Sequence, residues 1–237
     1  MKTILMLLGI LYLIQTKVSS QTGGLTPQSG LFPFEGEHFL VLSTGDVPRG
    51  SAGAKVQQSI TVDAGDKLTG VYFFGTCDYW DYNDFAYIKL IPQPGDSNLS
   101  EISIVEISVW DVGDYSSLSG WKRFEQVFDT NQAGTYNLTI AVGDYGDAVW
   151  DTYMVVDGIV LCHDPPAAGD LSCDCTVNFQ DFAFLAADWL RDCNDPNVYY
   201  DPNSHCLLGT DLTGDGPVDI NDLQVMSEYW LEGIKEE

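Results

Sequence analysis

Between residues 38 and 162 the chain alternates apolar and polar side chains in short runs, and this period of two is its strongest constraint. The runs are His38–Ser43, Val56–Val62, Leu68–Cys77, Phe85–Ile91, Ile102–Trp110, Trp121–Phe128, Thr135–Val142 and Tyr153–Cys162. Clusters of Gly, Asp, Asn and Pro separate them, where the backbone is free to turn. Alternation puts every second residue on one face of a strand, so each run has one face to bury. No sustained helical period interrupts the series. About eight short strands in one unit predict a mainly β protein whose N-terminal domain, residues 21–163, is a β-sandwich of jelly-roll type.

The grammar changes after residue 163. Asp164-Pro165-Pro166-Ala167-Ala168-Gly169 cannot continue a central strand and reads as a linker, 164–169. Beyond it the segment 170–237 matches itself when shifted by 41 positions: Asp170, Ser172, Asp174, Val177, Asn178, Asp181, Leu185 and Trp189 fall on Asp211, Thr213, Asp215, Val218, Asp219, Asp222, Met226 and Trp230. Each copy is an acidic loop followed by one amphipathic helix. Phe179, Phe182, Leu185 and Trp189, and then Ile220, Leu223, Met226 and Trp230, recur every three or four residues and are expected to form the core between the two helices.

The loops have the chemistry of a hard-cation site. Calcium takes about six to eight oxygen ligands, which an EF-hand-like loop offers from alternate positions and from its last residue. In the first loop these are Asp170, Ser172, Asp174, the carbonyl of Thr176, Asn178 and Asp181; in the second, Asp211, Thr213, Asp215, the carbonyl of Pro217, Asp219 and Asp222. Crowded carboxylates repel one another unless a cation neutralises them. Zinc is disfavoured, because these positions offer neither imidazole nor thiolate. The expected cofactor is calcium, two ions in this tail, with a further ion in the β-domain left open.

Asp211-Leu212-Thr213-Gly214-Asp215-Gly216-Pro217-Val218-Asp219-Ile220-Asn221-Asp222 and its partner loop resemble the type I dockerin family. That resemblance implies a small all-α, calcium-binding, dockerin-like domain over 170–237. It also implies a role in docking a secreted protein onto a cohesin-bearing or other extracellular scaffold. Cys175 stands where the first loop's turning glycine belongs, which predicts weaker calcium affinity there.

Residues 1–20 have the form of a secretory signal peptide: Lys2, an apolar run from Ile4 to Ile14, and small residues at Val18-Ser19-Ser20. A secreted or cell-surface protein is therefore expected, with no transmembrane segment left after cleavage. The net charge of -25, from 35 acidic and 10 basic side chains, argues against nucleic acid or anionic lipid as partner. The six cysteines, Cys77, Cys162, Cys173, Cys175, Cys193 and Cys206, are disulfide candidates in an exported chain. Cys77 and Cys162 end two strands and either pair across the sheet or stand as separate buried thiols. The other four allow three pairings, among which the sequence does not choose.

In the β-domain, Phe39-Leu40-Val41-Leu42-Ser43-Thr44-Gly45, Asn83-Asp84-Phe85-Ala86-Tyr87 and Tyr153-Met154-Val155-Val156-Asp157-Gly158-Ile159 resemble jelly-roll domains of bacterial exported proteins, a fold shared with carbohydrate-binding modules. Two segments mix aromatic rings with carboxylates, and they supply the candidate ligand-binding residues Asp78, Trp80, Asp81, Asp84, Asp147, Trp150 and Asp151. Packing at the rim of the fold and solvated turns are the plainer alternative for both. No catalytic residue is assigned. Glycoside hydrolysis uses two carboxylates flanking one bond, and Glu101 and Glu106 invite that reading, but an odd separation on a regular strand points them to opposite faces. The expectation is a non-catalytic protein that binds a ligand, carbohydrate among the candidates, or serves structurally. A small polysaccharide-active enzyme, glycoside hydrolase or lyase, is the alternative.

Overall fold

The computed structural model describes residues 3–4, 38–45, 52–95, 98–113, 117–146, 150–163, 165, 168–199 and 204–232. Among these described residues, nine strands pair antiparallel in two sheets. In chain order they are β1 (Thr3–Ile4), β2 (Leu40–Ser43), β3 (Ala52–Val62), β4 (Lys67–Thr76), β5 (Phe85–Pro92), β6 (Ile102–Ser108), β7 (Ser117–Val127), β8 (Gly134–Gly143) and β9 (Thr152–Cys162). One sheet runs β1-β9-β4-β7, with β2 also pairing β9; the other runs β3-β8-β5-β6. The strand runs expected from alternation are found within a few residues. The expected leader lies outside the described residues except for Thr3 and Ile4, which pair with Leu161 and Val160 of β9.

The inward faces meet in one apolar core. Leu68 and Phe74 of β4, Ile88 and Leu90 of β5, Ile140 of β8 and Met154 of β9 are each at most 1% exposed there. Burying a side chain of this size is worth roughly 1.5–3 kcal/mol, so the alternation read from the sequence is what holds the two sheets together. Gly70 is needed for close packing: a Cβ there would come within 2.8 Å of the Phe124 ring.

One reading of β6 fails for an identifiable reason. Ile88 pairs with Val105 but Lys89 with Ser103, so Ile104 is an extra residue, a bulge. The bulge reverses the alternation, and Glu101 and Glu106 share a face: Lys89 Nζ lies 3.2 Å from Glu101 and 2.6 Å from Glu106.

The expected dockerin-type module is overturned. Among the described residues the helices are few and short: α1 (Val109–Val112) in the sandwich, then α2 (Phe179–Ala187), α3 (Pro196–Tyr199) and α4 (Ile220–Glu228). They do not build a separate all-α domain. The segment is instead stapled and packed onto the sandwich. A disulfide joins Cys162, the last residue of β9, to Cys175 in the first loop. Lys67 of β4 reaches Asp170 at 4.0 Å, Arg123 of β7 donates to the carbonyl of Leu208 at 3.4 Å, and Thr69 of β4 contacts the buried Cys173 thiol at 3.4 Å. With the module goes the cohesin-type partner it implied. The alternative of pairing Cys77 with Cys162 also fails, because Cys162 is taken by Cys175. The second disulfide is Cys193–Cys206, and Cys77 and Cys173 are buried thiols outside both.

The 41-residue repeat does have a structural counterpart. Leu190 N–H donates to the Val218 carbonyl and Val218 N–H to the Arg191 carbonyl, each at 2.8 Å. At the matching positions, Leu231 N–H donates to the Val177 carbonyl at 2.8 Å and Val177 N–H to the Glu232 carbonyl at 3.1 Å. Each helix end thus closes on the other unit's loop. Leu171, Val177, Leu185, Val218 and Met226 form the small core between them. The helical apolar stripe is only partly used: Phe179 and Ile220 are exposed, as are Phe182 and Trp189.

Candidate functional site

At one end of the sandwich, three connections converge: residues 77–84 between β4 and β5, helix α1 after β6, and residues 144–146 and 150–151 between β8 and β9. Their backbones are tied to each other. Trp110 N–H donates to Asn83 Oδ1 and its indole Nε1–H to the Trp80 carbonyl, both at 3.0 Å. Val109 N–H donates to the Asp84 carbonyl at 3.0 Å, and Cys77 N–H to the Asp151 carbonyl at 3.2 Å. Gly146, at φ 101°, lies so close to Tyr82 that a Cβ would come within 2.8 Å of the ring. The Ser108–Asp111 capping box starts α1 here and turns Trp110 out of the strand that alternation had given it.

The result is an aromatic rim. Trp80 (60% exposed), Trp110 (66%), Tyr145 (60%) and Trp150 (42%) stand at this end of the fold. Large rings are normally buried, so four exposed at one end of the fold, on loops joined by hydrogen bonds, are the candidate ligand surface of the sandwich. Of the residues named from the sequence, Trp80, Asp81 and Trp150 are here, Asp81 exposed. Asp151 accepts from the Tyr153 hydroxyl at 3.0 Å, and Asp147 lies outside the described residues. Trp110 and Tyr145, also exposed at this end, are not among the residues named from the sequence. Trp110 sits 30 residues from Trp80 in the chain, and only the fold joins them.

Beneath the rim lies a buried acidic nest. Asp84 is 0%, Asp78 1% and Asp144 5% exposed, so Asp78 and Asp84 are not surface sugar-binding groups. Asp84 Oδ1 accepts from Tyr145 N–H at 2.8 Å. Asp84 Oδ2 is buried with no hydrogen-bond partner. Burial pushes the Asp84 carboxyl up, to about 7; Tyr145 and Thr152 pull against it, while Asp144 and Asp78 push it higher. Thr152 does not satisfy Oδ2: its hydroxyl pairs with Thr76 Oγ1 at 2.8 Å and lies outside hydrogen-bond geometry for Asp84.

The tail loops form a second candidate site, and both are built alike. Asp170 accepts from the amides of Asp174 (2.9 Å) and Cys175 (3.1 Å), as Asp211 does from Asp215 (3.2 Å) and Gly216 (2.9 Å). Asp181 accepts from the amides of Ser172 (2.7 Å) and Asn178 (2.8 Å), as Asp222 does from Thr213 (2.9 Å) and Asp219 (2.7 Å). Asn178 and Asp219 cap their helices, and Thr176 bonds the Asp174 carboxylate. Ser172 Oγ is buried without a hydrogen-bond partner in the first loop, whereas Thr213 Oγ1 donates to Asp222 at 3.0 Å in the second. Burial raises the pKa of Asp170, against the pull of Lys67. The first loop turns without glycine: Cys173 and Cys175 adopt φ 61° and 70°, where Gly214 and Gly216 serve the second.

No protein-family model matches the chain, and none of the curated proteins does. Among solved structures it is similar to the carbohydrate-binding module TmCBM61 in complex with β-1,4-galactotriose, at 19% identity and TM-score 0.29 over 46% of this chain. That match spans 61% of the module's own length. The K3 cleaved adhesin domain of Lys-gingipain from Porphyromonas gingivalis w83 matches at 9% identity and TM-score 0.33, over 52% of this chain and 72% of that one. The CBM22-1–GH10 modules of xylanase 10B from Clostridium thermocellum, complexed with xylohexaose, match at 11% identity and TM-score 0.30, over 65% of this chain and 28% of that one. Similarity this remote carries no argument about what this chain binds.

Proposed function

We propose that this is an exported, non-catalytic protein whose sandwich binds carbohydrate at its aromatic rim. The observation that carries the reading is the convergence of Trp80, Trp110, Tyr145 and Trp150, all exposed, on loops tied by hydrogen bonds. Ring faces stack on the apolar faces of sugars, and Asp81 and Asn83 beside them offer acceptors for hydroxyls. Pre-ordered loops spare the entropy of fixing side chains on binding. The test is affinity electrophoresis of the full chain through a panel of soluble polysaccharides. Retardation by at least one glycan, abolished in Trp80→Ala/Trp110→Ala, is the expected result; no retardation by any would remove the reading.

In the same proposal, calcium occupies the tail loops and stiffens the segment that clamps the sandwich. The buried, unpartnered Ser172 hydroxyl beside Asp170, Asp174 and Asp181 fits an oxygen ligand for a hard cation. Calcium should raise the melting temperature of chelator-treated protein, and Asp181→Asn/Asp222→Asn should lose most of that gain. Export through residues 1–20 predicts a secreted chain beginning at Gln21 on N-terminal sequencing.

An enzymatic reading has one feature in its favour, the shared face of Glu101 and Glu106. They stand near a hollow of about 560 Å³ lined in part by Phe85, Tyr87, Lys89 and Asp111. But Lys89 bonds both, and its hydrogen bond holds the Glu106 carboxyl below the usual carboxylate range. A general acid needs the opposite shift. Reducing-sugar release lost in Glu106→Gln would reverse this choice.

A further inference from the structure

We infer that the outer face of the β3-β8-β5-β6 sheet is a second glycan-binding surface, continuous with the aromatic rim and built for a neutral chain of several sugar units. The inference rests on the carbohydrate reading of the sandwich. Ala86, Ile88 and Leu90 of β5 point into the core, so Phe85, Tyr87 and Lys89 point outward. Both rings lie flat on the sheet. Phe85 pairs with Gly143, and a Cβ at that glycine would stand 2.5 Å from the Phe85 Cζ and 2.9 Å from both Cε atoms. Distances so nearly equal put the face of the ring over Gly143, not its edge against it. The Tyr87 ring is parallel to that of Phe85 within 10°, with centroids 6.4 Å apart, and its pair partner is the small, buried Ala141. Small residues on β8 thus let two rings lie side by side, one face down on the sheet. The other face is turned to the hollow of about 560 Å³, where Phe85 is 37% exposed.

A flat aromatic floor receives the C–H face of a sugar ring, whose hydroxyls then need donors and acceptors at the side. Both are in place. Lys89 Nζ lies 5.2 Å from the Tyr87 ring centroid and is held between Glu101 and Glu106. Groups fixed by ion pairs before a ligand arrives cost less to order. The hollow also reaches Ser108 and Asp111, the two ends of the capping box that turns Trp110 to the rim, so floor and rim join. Among its described lining residues Lys89 is the only cation, against the carboxylates of Glu106 and Asp111, and the whole chain carries -25. That charge repels an acidic glycan, and equally a second copy of this chain. The occupant is a neutral glycan long enough to pass from the rim onto the floor.

The test is affinity electrophoresis of the full, oxidised chain in barley β-glucan, xyloglucan, arabinoxylan, β-1,4-galactan and, as the acidic probe, polygalacturonate. Wild type is compared with Phe85→Ala/Tyr87→Ala and with the rim variant Trp80→Ala/Trp110→Ala. The expected result is retardation of wild type by a neutral glycan and affinity weakened at least about tenfold in Phe85→Ala/Tyr87→Ala. Retardation by polygalacturonate alone would overturn the neutral occupant. Loss in the rim variant with unchanged affinity in Phe85→Ala/Tyr87→Ala would sink this face and leave the rim. Loss in Phe85→Ala/Tyr87→Ala with an unaffected rim variant would sink the rim and leave this face, and a wild type retarded by none of the probes would sink both. Should Phe85→Ala/Tyr87→Ala fail to fold by circular dichroism, Gly143→Ala decides instead. Its methyl displaces the Phe85 ring while both aromatic side chains are kept: weaker retardation supports the floor, and equal retardation refutes it.

Discussion

Removing the Cys162–Cys175 disulfide by Cys162→Ala/Cys175→Ala tests whether the C-terminal segment is a clamp on the sandwich. The two residues are 13 apart in sequence. Loop-closure entropy for a loop of that size gives about 3 kcal/mol of stabilisation at 25 °C. That corresponds to about two powers of ten in the unfolding equilibrium, since 1.4 kcal/mol is tenfold. Cys193–Cys206 closes a loop of the same separation, 13, so chain entropy alone predicts the same loss from Cys193→Ala/Cys206→Ala. The two differ in what they join: Cys193–Cys206 stays within the C-terminal segment, while Cys162–Cys175 crosses from β9 into the first loop. Urea unfolding is followed by far-ultraviolet circular dichroism for the helices and by tryptophan fluorescence for the whole chain. Wild type should show coincident transitions, and so should Cys193→Ala/Cys206→Ala at lower urea. In Cys162→Ala/Cys175→Ala the helical signal should be lost first, in a transition of its own. Coincident transitions and a loss below about 1 kcal/mol there would refute the clamp.

Trp110→Ala removes both an exposed ring and the indole bond to the Trp80 carbonyl. It should weaken glycan binding by more than about 1 kcal/mol, roughly fivefold or more, the scale of an interface hot spot, while Phe179→Ala on the exposed tail surface should leave it unchanged; quantitative affinity electrophoresis reads both. Asp188 is fully buried and accepts from His205 N–H at 2.7 Å and Thr210 Oγ1 at 2.9 Å. Burial acts to raise its pKa, but these bonds, with the His205 ring, leave it below the usual carboxylate value. A folded pKa below the unfolded one gives stability that is complete above about 3.8 and lost as pH falls through the folded value. Asp188→Asn should therefore lower stability at pH 7 by about 1–3 kcal/mol and flatten its decline in acid, as thermal melts from pH 2 to 7 would show. Leu190 and Leu231 adopt φ 65° and 67° while 78% and 54% exposed. Replacing either by Gly relieves about 1–2 kcal/mol of left-handed strain against roughly 0.5–1 kcal/mol of added chain entropy; a small rise in melting temperature is expected, and a fall would show that the leucine side chain matters more than its backbone.

The strands were readable because alternation is local and the core needs it. Ile88 through Leu90 state in sequence which face is buried. Where a feature depended on pairing across the molecule, reading along the chain went astray. The bulge at Ile104 belongs to the register between β5 and β6, and it reversed the inference about Glu101 and Glu106. Cys162 found its partner past the linker rather than on the neighbouring strand. The dockerin resemblance came from loop residues whose repeated geometry is real, since Asp170 and Asp211 fold their loops by the same amide bonds. Its error was to extend that local pattern to a separate module, when Lys67, Arg123 and Cys162 bind the segment to the sheet. At the rim, Trp80 and Trp150 were visible as aromatic-acidic segments. Trp110 was not, because the capping box that turns it outward ends a run that reads as strand.

The reciprocal bonds between the two tail units bear on how such a segment can arise and fail. Val177 in the first loop is closed by Leu231 and Glu232, and Val218 in the second by Leu190 and Arg191. Neither unit is self-sufficient. A chain truncated before residue 211 would present the Val177 amide and carbonyl, with half of the shared core, to solvent. The complement to that open edge is another copy of the same unit, so two truncated molecules could close the exchange between them at the cost of bimolecular entropy. Fusing two copies in tandem makes that encounter internal and independent of concentration. Duplication thus converts an association into a fold, and truncation returns the fold to an association.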